Sequence, residues 1–187
     1  MTSVQKKIQK VTDRLFKKSG FTLIEAVVTV VIFSFIAGGV YATMVAGDNS
    51  WNRNSLQIEL QQELRKSMNG LYDDLRQSGK SAITNVPANG NWYSTITFYK
   101  ANGVSGGKIA WSSNTTQYLL GGANSDQLQR KVGTVTKVVA QDISSLQIRR
   151  LVSTPNIVEV SLQAVKNGLK GGGTVSDSLD FKVNLRN

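Results

Sequence analysis

The sequence predicts an α+β fold in which a long N-terminal α-helix packs on an antiparallel β-sheet head domain. An apolar run followed by leucines at helical spacing indicates the helix, and short strand-like segments separated by turn residues indicate the sheet. The connections between these segments are too short for parallel crossovers. We divide the chain into a basic leader (1–20), a transmembrane segment (21–46), an amphipathic helix (47–79) and a β-rich head (80–187).

The composition restricts the possible chemistry and partners. The 187 residues include no histidine and no cysteine, which excludes disulfides, thiolate or imidazole metal sites and the commonest catalytic bases and nucleophiles. Half of the net charge of +10 lies in residues 1–20, and the remaining charge is spread thinly. This distribution does not favour nucleic acid as a partner. The basic leader is typical of a segment retained on the cytoplasmic side of a membrane.

An uncharged apolar run follows the leader. Residues 26–46 contain no charged side chain, and as a helix they span the roughly 30 Å of a bilayer's hydrocarbon core. The run is longer than the apolar region of about 7–15 residues in an ordinary secretory signal. We therefore expect a single pass through a membrane, with the N-terminus in the cytoplasm and the head on the opposite side.

Glu25 stands at the start of this run, where lipid disfavours a charge. Thr22 to Glu25 has the form of a capping box, and a carboxylate in the first turn complements the helix dipole. A second interpretation is that the carboxylate pairs with an amine. Cleavage after Gly20 would create such an amine on Phe21, and both roles of Glu25 are compatible.

The stretch KKSGFTLIEAVVTVVIF resembles the N-terminal signal of type IV pilins and pseudopilins. The resemblance implies that a prepilin peptidase cuts after Gly20 and that Phe21 is then N-methylated. It implies that Glu25 pairs with the N-terminal amine of a neighbouring subunit during filament assembly, and that residues 21–46 form the filament core. Other pilin or pseudopilin subunits and an inner-membrane assembly platform are the further partners that it implies.

An amphipathic helix is predicted beyond the membrane run, ending near Gln77. Trp51 suits an anchor at the lipid–water interface, where the helix leaves the membrane. Gly38 and Gly39 leave two alternatives open, close packing of membrane helices or a point where the helix unwinds on assembly. The apolar face of the amphipathic part consists of Leu56, Leu60, Leu64, Met68, Leu71 and Leu75.

The head is predicted to contain one antiparallel sheet with polar loops at 103–107 and 166–178. Three stretches within it, AWSSNTTQYLLGGANSDQLQRKV, ISSLQIRR and NIVEVSLQAV, resemble in their order the larger minor pseudopilins, notably the J type of type II secretion. That resemblance implies a minor filament subunit. The predicted strands are 94–101, 107–113, 116–121, 126–132, 143–152, 156–165 and 178–186.

No catalytic residue, cofactor or metal site is predicted. Asp73 and Asp74 point about 100° apart on a helix, and we expect both to be solvated. Asp126, Asp177 and Asp180 could belong to a calcium loop, but they lack the D-x-D-x-D-G arrangement. The GLKGGG stretch lacks the spacing of a phosphate-binding loop.

Aromatic side chains in the head could stack on single-stranded nucleic acid, but packing within the sheet is the commoner role of such residues. We expect packing here. The residues concerned are Trp92, Tyr93, Phe98, Tyr99 and Trp111.

Taken together, these features predict a structural, non-enzymatic filament subunit. The alternative is a single-pass, membrane-anchored periplasmic binding module or enzyme that does not join a filament. Processing distinguishes the two, because only the filament subunit requires a new N-terminus at Phe21.

We predict cleavage between Gly20 and Phe21. Intact-mass measurement of the protein from its native host should show loss of residues 1–20, with or without one added methyl group. Gly20→Ala should still be cut, whereas a large side chain at position 20 should block cutting. Full-length protein in cells with an active prepilin peptidase would contradict the prediction.

Overall fold

The computed structural model describes residues 21–168 and 173–186, so the leader and Gly20 lie outside the described residues. The chain divides into two compact units, Met1–Asp48 and Asn49–Asn187. The described residues form one long helix followed by antiparallel strands, which confirms the predicted α+β class. The helix is α1 (Leu23–Arg76), and the strands are β1 (Ile96–Ser105), β2 (Lys108–Gly121), β3 (Gln127–Val132), β4 (Val135–Ala140), β5 (Ile143–Arg150), β6 (Ile157–Asn167) and β7 (Thr174–Asn184).

Helix α1 begins one residue after Thr22 and is continuous to Arg76, close to its predicted end. Thr22 caps it, because its Oγ1 accepts a hydrogen bond from the Glu25 N–H at 3.3 Å and its carbonyl accepts one from Ala26 at 3.1 Å. A basic residue, Arg76, lies in the last turn, where the helix dipole favours a cation.

The strands form two sheets, and the prediction of one sheet is therefore wrong. One sheet has the order β1-β2-β3-β4 and the other β5-β6-β7, with antiparallel pairing throughout. The break falls between β4 and β5, where Asp142 has a φ of 60°. After this left-handed residue the chain enters β5, which pairs with β6 and not with β4.

Several predicted strand boundaries also need correction. The segments 107–113 and 116–121 are one strand, β2, and β4 was missed. The predicted loop at 103–107 is a tight hairpin in which Gly106 and Gly107 both have positive φ, as a two-residue turn of type I′ requires. Strands β6 and β7 extend into the predicted loop at 166–178, since Asn167 pairs with Thr174.

The second half of α1 supplies one side of the hydrophobic core. Leu60, Leu64, Leu71 and Leu75 are buried there with residues of both sheets, while Leu56 and Met68 are half-buried. The predicted apolar face is thus the face that packs. The strand residues of this core include Ile96, Phe98, Tyr118, Leu128, Leu146, Ile148, Val160, Leu162 and Val183.

Gly70 lies at the closest approach of this helix to the first sheet. A Cβ placed on it would meet Val139 Cγ1 at 3.3 Å and the Tyr118 hydroxyl at 3.5 Å. A glycine within a helix usually weakens it, but Gly70 leaves room for the sheet residues that pack against the helix.

We predict that Leu64→Asp unfolds the head, since it places an unpaired charge at a position only 3% exposed. A fragment of residues 50–187 should be folded and soluble. The substitution should lower its free energy of unfolding by about 4 kcal/mol or more, measured by circular-dichroism melts and denaturant titration.

The matched control is Ile58→Asp, on the same helix but 59% exposed. It should change the free energy of unfolding by no more than about 0.5 kcal/mol. Wild-type stability of Leu64→Asp would show that the register of the helix is wrong.

Candidate functional site

The candidate assembly site is the start of α1, where Phe21, Thr22 and Glu25 follow the predicted cleavage point. Phe21 is 68% exposed, and Glu25 lies in the first helical turn. The Thr22 cap occupies the N–H of Glu25 and leaves its carboxylate free to bind elsewhere. The capping interpretation therefore explains the backbone of Glu25 but does not use its charge.

Glu25 has no ion-pair partner among residues 21–168 and 173–186. The ion pairs of the described residues all lie in the second unit, at Glu59 and beyond. A carboxylate beside an exposed apolar surface is costly in lipid unless a cation compensates it. The geometry thus leaves Glu25 available for an amine on another molecule, and that pairing stays a prediction.

Between Glu25 and the end of the first unit at Asp48, helix α1 is apolar and is not buried by other described residues. Among the described residues, α1 is the one helix long and apolar enough to cross a membrane, and its most apolar stretch has no buried residue. Exposure of large aliphatic and aromatic side chains over such a length requires lipid or other apolar helices as surroundings. The chain is accordingly suited to membrane anchoring.

Gly38 and Gly39 lie within this apolar stretch of the helix. A Cβ on either would have no atom within 4 Å. Any packing role of these glycines therefore requires another molecule, and both interpretations of them stay predictions.

Asp74 contradicts the prediction that Asp73 and Asp74 are both solvated. Asp73 is exposed, but Asp74 is only 7% exposed. Its Oδ1 accepts a hydrogen bond from Lys100 Nζ at 2.8 Å, and its Oδ2 accepts one from Arg130 Nε at 2.5 Å. The Tyr118 hydroxyl lies 3.0 Å from Oδ2 and 2.9 Å from the carbonyl oxygen of Gly70 on the same helix. We call these four side chains the Asp74 cluster: Asp74, Lys100, Tyr118 and Arg130.

The Asp74 cluster joins the end of α1 to β1, β2 and β3. Burial raises the pKa of Asp74, but the hydrogen bonds and charges of Lys100 and Arg130 outweigh burial and hold that pKa below its usual value. Burial and the neighbouring carboxylate raise the pKa of Tyr118, which therefore stays a neutral hydroxyl. The cluster is therefore a structural contact in which one carboxylate pairs with two cations and accepts a hydrogen bond from a tyrosine.

Arg150 is a second buried charge that the sequence reasoning missed. Its guanidinium donates to the main-chain carbonyl oxygens of Val86 at 3.1 Å, Lys80 at 3.3 Å and Pro155 at 2.6 and 2.9 Å. Burial lowers its pKa. Its N–H groups donate to carbonyl oxygens of the segment that connects α1 with β1. Arg150 therefore holds that connecting segment against the end of β5. The alternation of the strand was a signal for its burial, because Arg150 follows Leu146 and Ile148 on the inward face, whereas its carbonyl partners lie too far away in the chain to be foreseen.

The remaining candidates do not form sites. Asp126 lies between β2 and β3, whereas Asp177 and Asp180 lie on β7 of the other sheet. In the described part of the chain, no three acidic residues are grouped as metal ligands.

Several aromatic side chains predicted to pack do pack. Phe98 is buried and stacks on Tyr118 with ring centroids 6.4 Å apart, and Tyr93 lies against the core. Trp92 is the exception, since it remains 44% exposed.

A comparison with known families agrees with the N-terminal pattern. Residues 15–41 match the family model described as the prokaryotic N-terminal methylation motif. This motif is the prepilin-type signal of type IV pilins and pseudopilins. It supports processing by a prepilin peptidase and assembly with other pilin subunits. No curated protein matches the chain.

We predict that Asp74→Asn destabilises the fragment of residues 50–187 by about 2 kcal/mol at pH 7, since it leaves Lys100 and Arg130 without their carboxylate. The folded-state pKa of Asp74 is lowered, so its contribution is complete above the unfolded-state value of about 3.9 and is lost as the pH falls through the folded-state pKa. Denaturant titrations between pH 7 and pH 2 measure this dependence.

The control is Asp73→Asn, an exposed neighbour, which should change the stability by no more than about 0.5 kcal/mol. The difference between wild type and Asp74→Asn should shrink in acid. A difference that is equal at pH 7 and pH 2 would contradict the assignment of the effect to the ionised carboxylate.

Proposed function

We propose that this chain is a minor subunit of a pilin-like filament, most similar to a J-type pseudopilin of type II secretion. The observation that carries the proposal is the prepilin-type signal at 15–41, which continues directly into the uncovered apolar part of α1. In this proposal the head lies in the periplasm and α1 is held in inner-membrane lipid until an assembly platform moves the subunit into the filament.

The free carboxylate of Glu25 supports assembly through the N-terminus. After cleavage following Gly20, the methylated amine of Phe21 in one subunit would meet Glu25 of its neighbour. Inside a bundle of apolar helices, such a pair sets the register of the subunits more than it adds stability. The apolar surface around it would supply the burial that holds the helices together.

The two-sheet head supports the minor-subunit part of the proposal. The three stretches that resemble larger minor pseudopilins form β2 with β3, β5 and β6 of this head. The absence of histidine and cysteine from the sequence supports a structural role in place of an enzymatic one. Within the proposal, the head displays surface at the filament tip and needs no cofactor.

We predict that Glu25→Val is inserted and cleaved normally but assembles poorly. The substitution leaves the leader and the apolar run unchanged and removes the anionic partner of the amine. Thr22→Val is the matched control, because it removes the side-chain cap of the helix without removing the charge. Immunoblots of sheared filaments measure incorporation, and normal incorporation of the Glu25→Val variant would leave Glu25 only its role in the first helical turn.

Quantitative mass spectrometry of sheared filaments tests the proposed function itself. A minor subunit should be present in filaments, in its cleaved form, and scarce relative to the major pilin-like protein. If this chain is the most abundant pilin-like protein, a major pilin replaces the proposal. If it stays in the membrane as a full-length monomer, the anchored binding module or enzyme replaces it.

A further inference from the structure

Trp92 is held rigidly at the outer face of the three-stranded sheet. Its neighbour Tyr93 exchanges two main-chain hydrogen bonds with Ile148 of β5, both at 2.8 Å, and packs its ring toward the core. Asn89 donates to the Tyr93 hydroxyl at 2.8 Å, and the Gly90 N–H donates to the carbonyl of Arg150 at 2.9 Å. The segment that carries the exposed indole is therefore fixed to the edge of β5.

A row of charged side chains crosses the same face beside the indole. Arg149, Glu159 and Lys182 are directly opposite one another on β5, β6 and β7. The guanidinium carbon of Arg149 lies 4.3 Å from the centre of the Trp92 ring, and its Nε donates to Glu159 at 2.8 Å. Lys182 Nζ lies 2.7 Å from the other carboxylate oxygen. Hydrogen bonds from Lys182 and Arg149 lower the pKa of Glu159, so the row stays charged at neutral pH.

The next row of the sheet completes a cleft of about 330 Å³. Ser161 and Asp180 stand opposite each other there, and in the described part of the chain their side chains make no hydrogen bond. The cleft is at the low end of the roughly 300–1,000 Å³ that small-molecule sites occupy. It combines the exposed part of the Trp92 indole that Arg149 does not cover, two acceptor groups, and the N–H groups of Arg149 and Lys182 that Glu159 does not use.

The charges of the cleft decide what class of ligand it fits. Arg149 and Lys182 are balanced by Glu159 and Asp180, so neither an anion nor a cation gains a net attraction. Hydrogen-bond donors and acceptors are nevertheless both present around an aromatic ring. A ligand that matches this set has an uncharged ring with an apolar face and hydroxyl groups along its edge.

We propose that the cleft formed by Trp92, Arg149, Glu159, Ser161, Asp180 and Lys182 binds a neutral saccharide. One sugar ring lies against the exposed part of the Trp92 indole. Its hydroxyls donate to Asp180 and accept from Arg149 and Lys182. Because the main chain on both sides of the cleft is held by hydrogen bonds before binding, no backbone segment has to be ordered on forming the complex. The proposal is independent of filament assembly, since the cleft lies entirely in one unit of a single chain.

The experiment uses the full chain in micelles of a detergent without a sugar headgroup. The protein has three tryptophans, so an indole ¹⁵N–¹H spectrum reports on Trp51, Trp92 and Trp111 separately. Maltotriose, cellotriose and fully N-acetylated chitotriose are titrated as neutral probes. At least one should shift the Trp92 resonance saturably with a dissociation constant in the millimolar range or below, while Trp51 and Trp111 stay unchanged.

Two variants and a charged probe make the result decisive. Asp180→Ala should weaken binding at least tenfold in the Trp92 titration, whereas Asp177→Ala, on the same strand and outside the cleft, should not. Trp92→Ala removes the reporting indole, so its binding is measured from saturation-transfer spectra of the sugar, and it should also be weakened at least tenfold. Melting curves show whether each variant is folded. If a variant does not fold, the indole titration of the wild-type protein still tests the proposal. Absence of saturable shifts with all three probes would overturn the proposal, as would stronger binding of tri-galacturonate than of any neutral probe.

Discussion

The leucine face of α1 between Leu60 and Leu75 is the surface on which both sheets of the head converge. Its side chains lie in one core cluster with residues of β1, β2, β3, β5, β6 and β7. Neither a three-stranded nor a four-stranded sheet buries much apolar area on its own, and the helix gives both a common surface to cover. The Asp74 cluster then fixes where along the first sheet the helix ends.

The two parts of α1 differ in what buries their apolar side chains. The part in the second unit is amphipathic, and its own chain buries the apolar face. The part in the first unit is apolar on all sides and no described residue buries it, so lipid or other helices must do so. One continuous helix thus has an apolar face that its own chain buries and an apolar segment that only other molecules can bury. A membrane-anchored subunit that assembles through its N-terminus needs this division.

Charged groups in the head serve mainly to join elements. Lys166 lies 2.7 Å from Glu59 of α1 and 3.0 Å from Asp142, which ties the helix to the end of β6 and to the turn before β5. Arg150 fastens the connection that precedes β1, using carbonyl oxygens only. Because these side chains use their hydrogen-bonding groups within the head, two places with free groups differ from them: Glu25 at the start of α1 and the cleft beside Trp92.

The sequence alone determined those features that depend on local spacing. The capping pattern at Thr22, the length of the apolar run and the three- and four-residue leucine spacing specify the helix, its ends and its buried face. The prepilin-type signal is likewise a property of consecutive residues, and so it was readable without a fold.

Only the tertiary structure decided what depends on residues distant in the chain. Asp74 looks like any solvated acid in a helix until Lys100, Tyr118 and Arg130 converge on it from three strands. The number of sheets was also undecided, because antiparallel pairing is compatible with one sheet or two, and the pairing partners of β4 and β5 are set by contacts between residues distant in the chain. The cleft beside Trp92 likewise depends on tertiary structure, because the register of the strands brings its residues together. Their spacing in the sequence does not predict it.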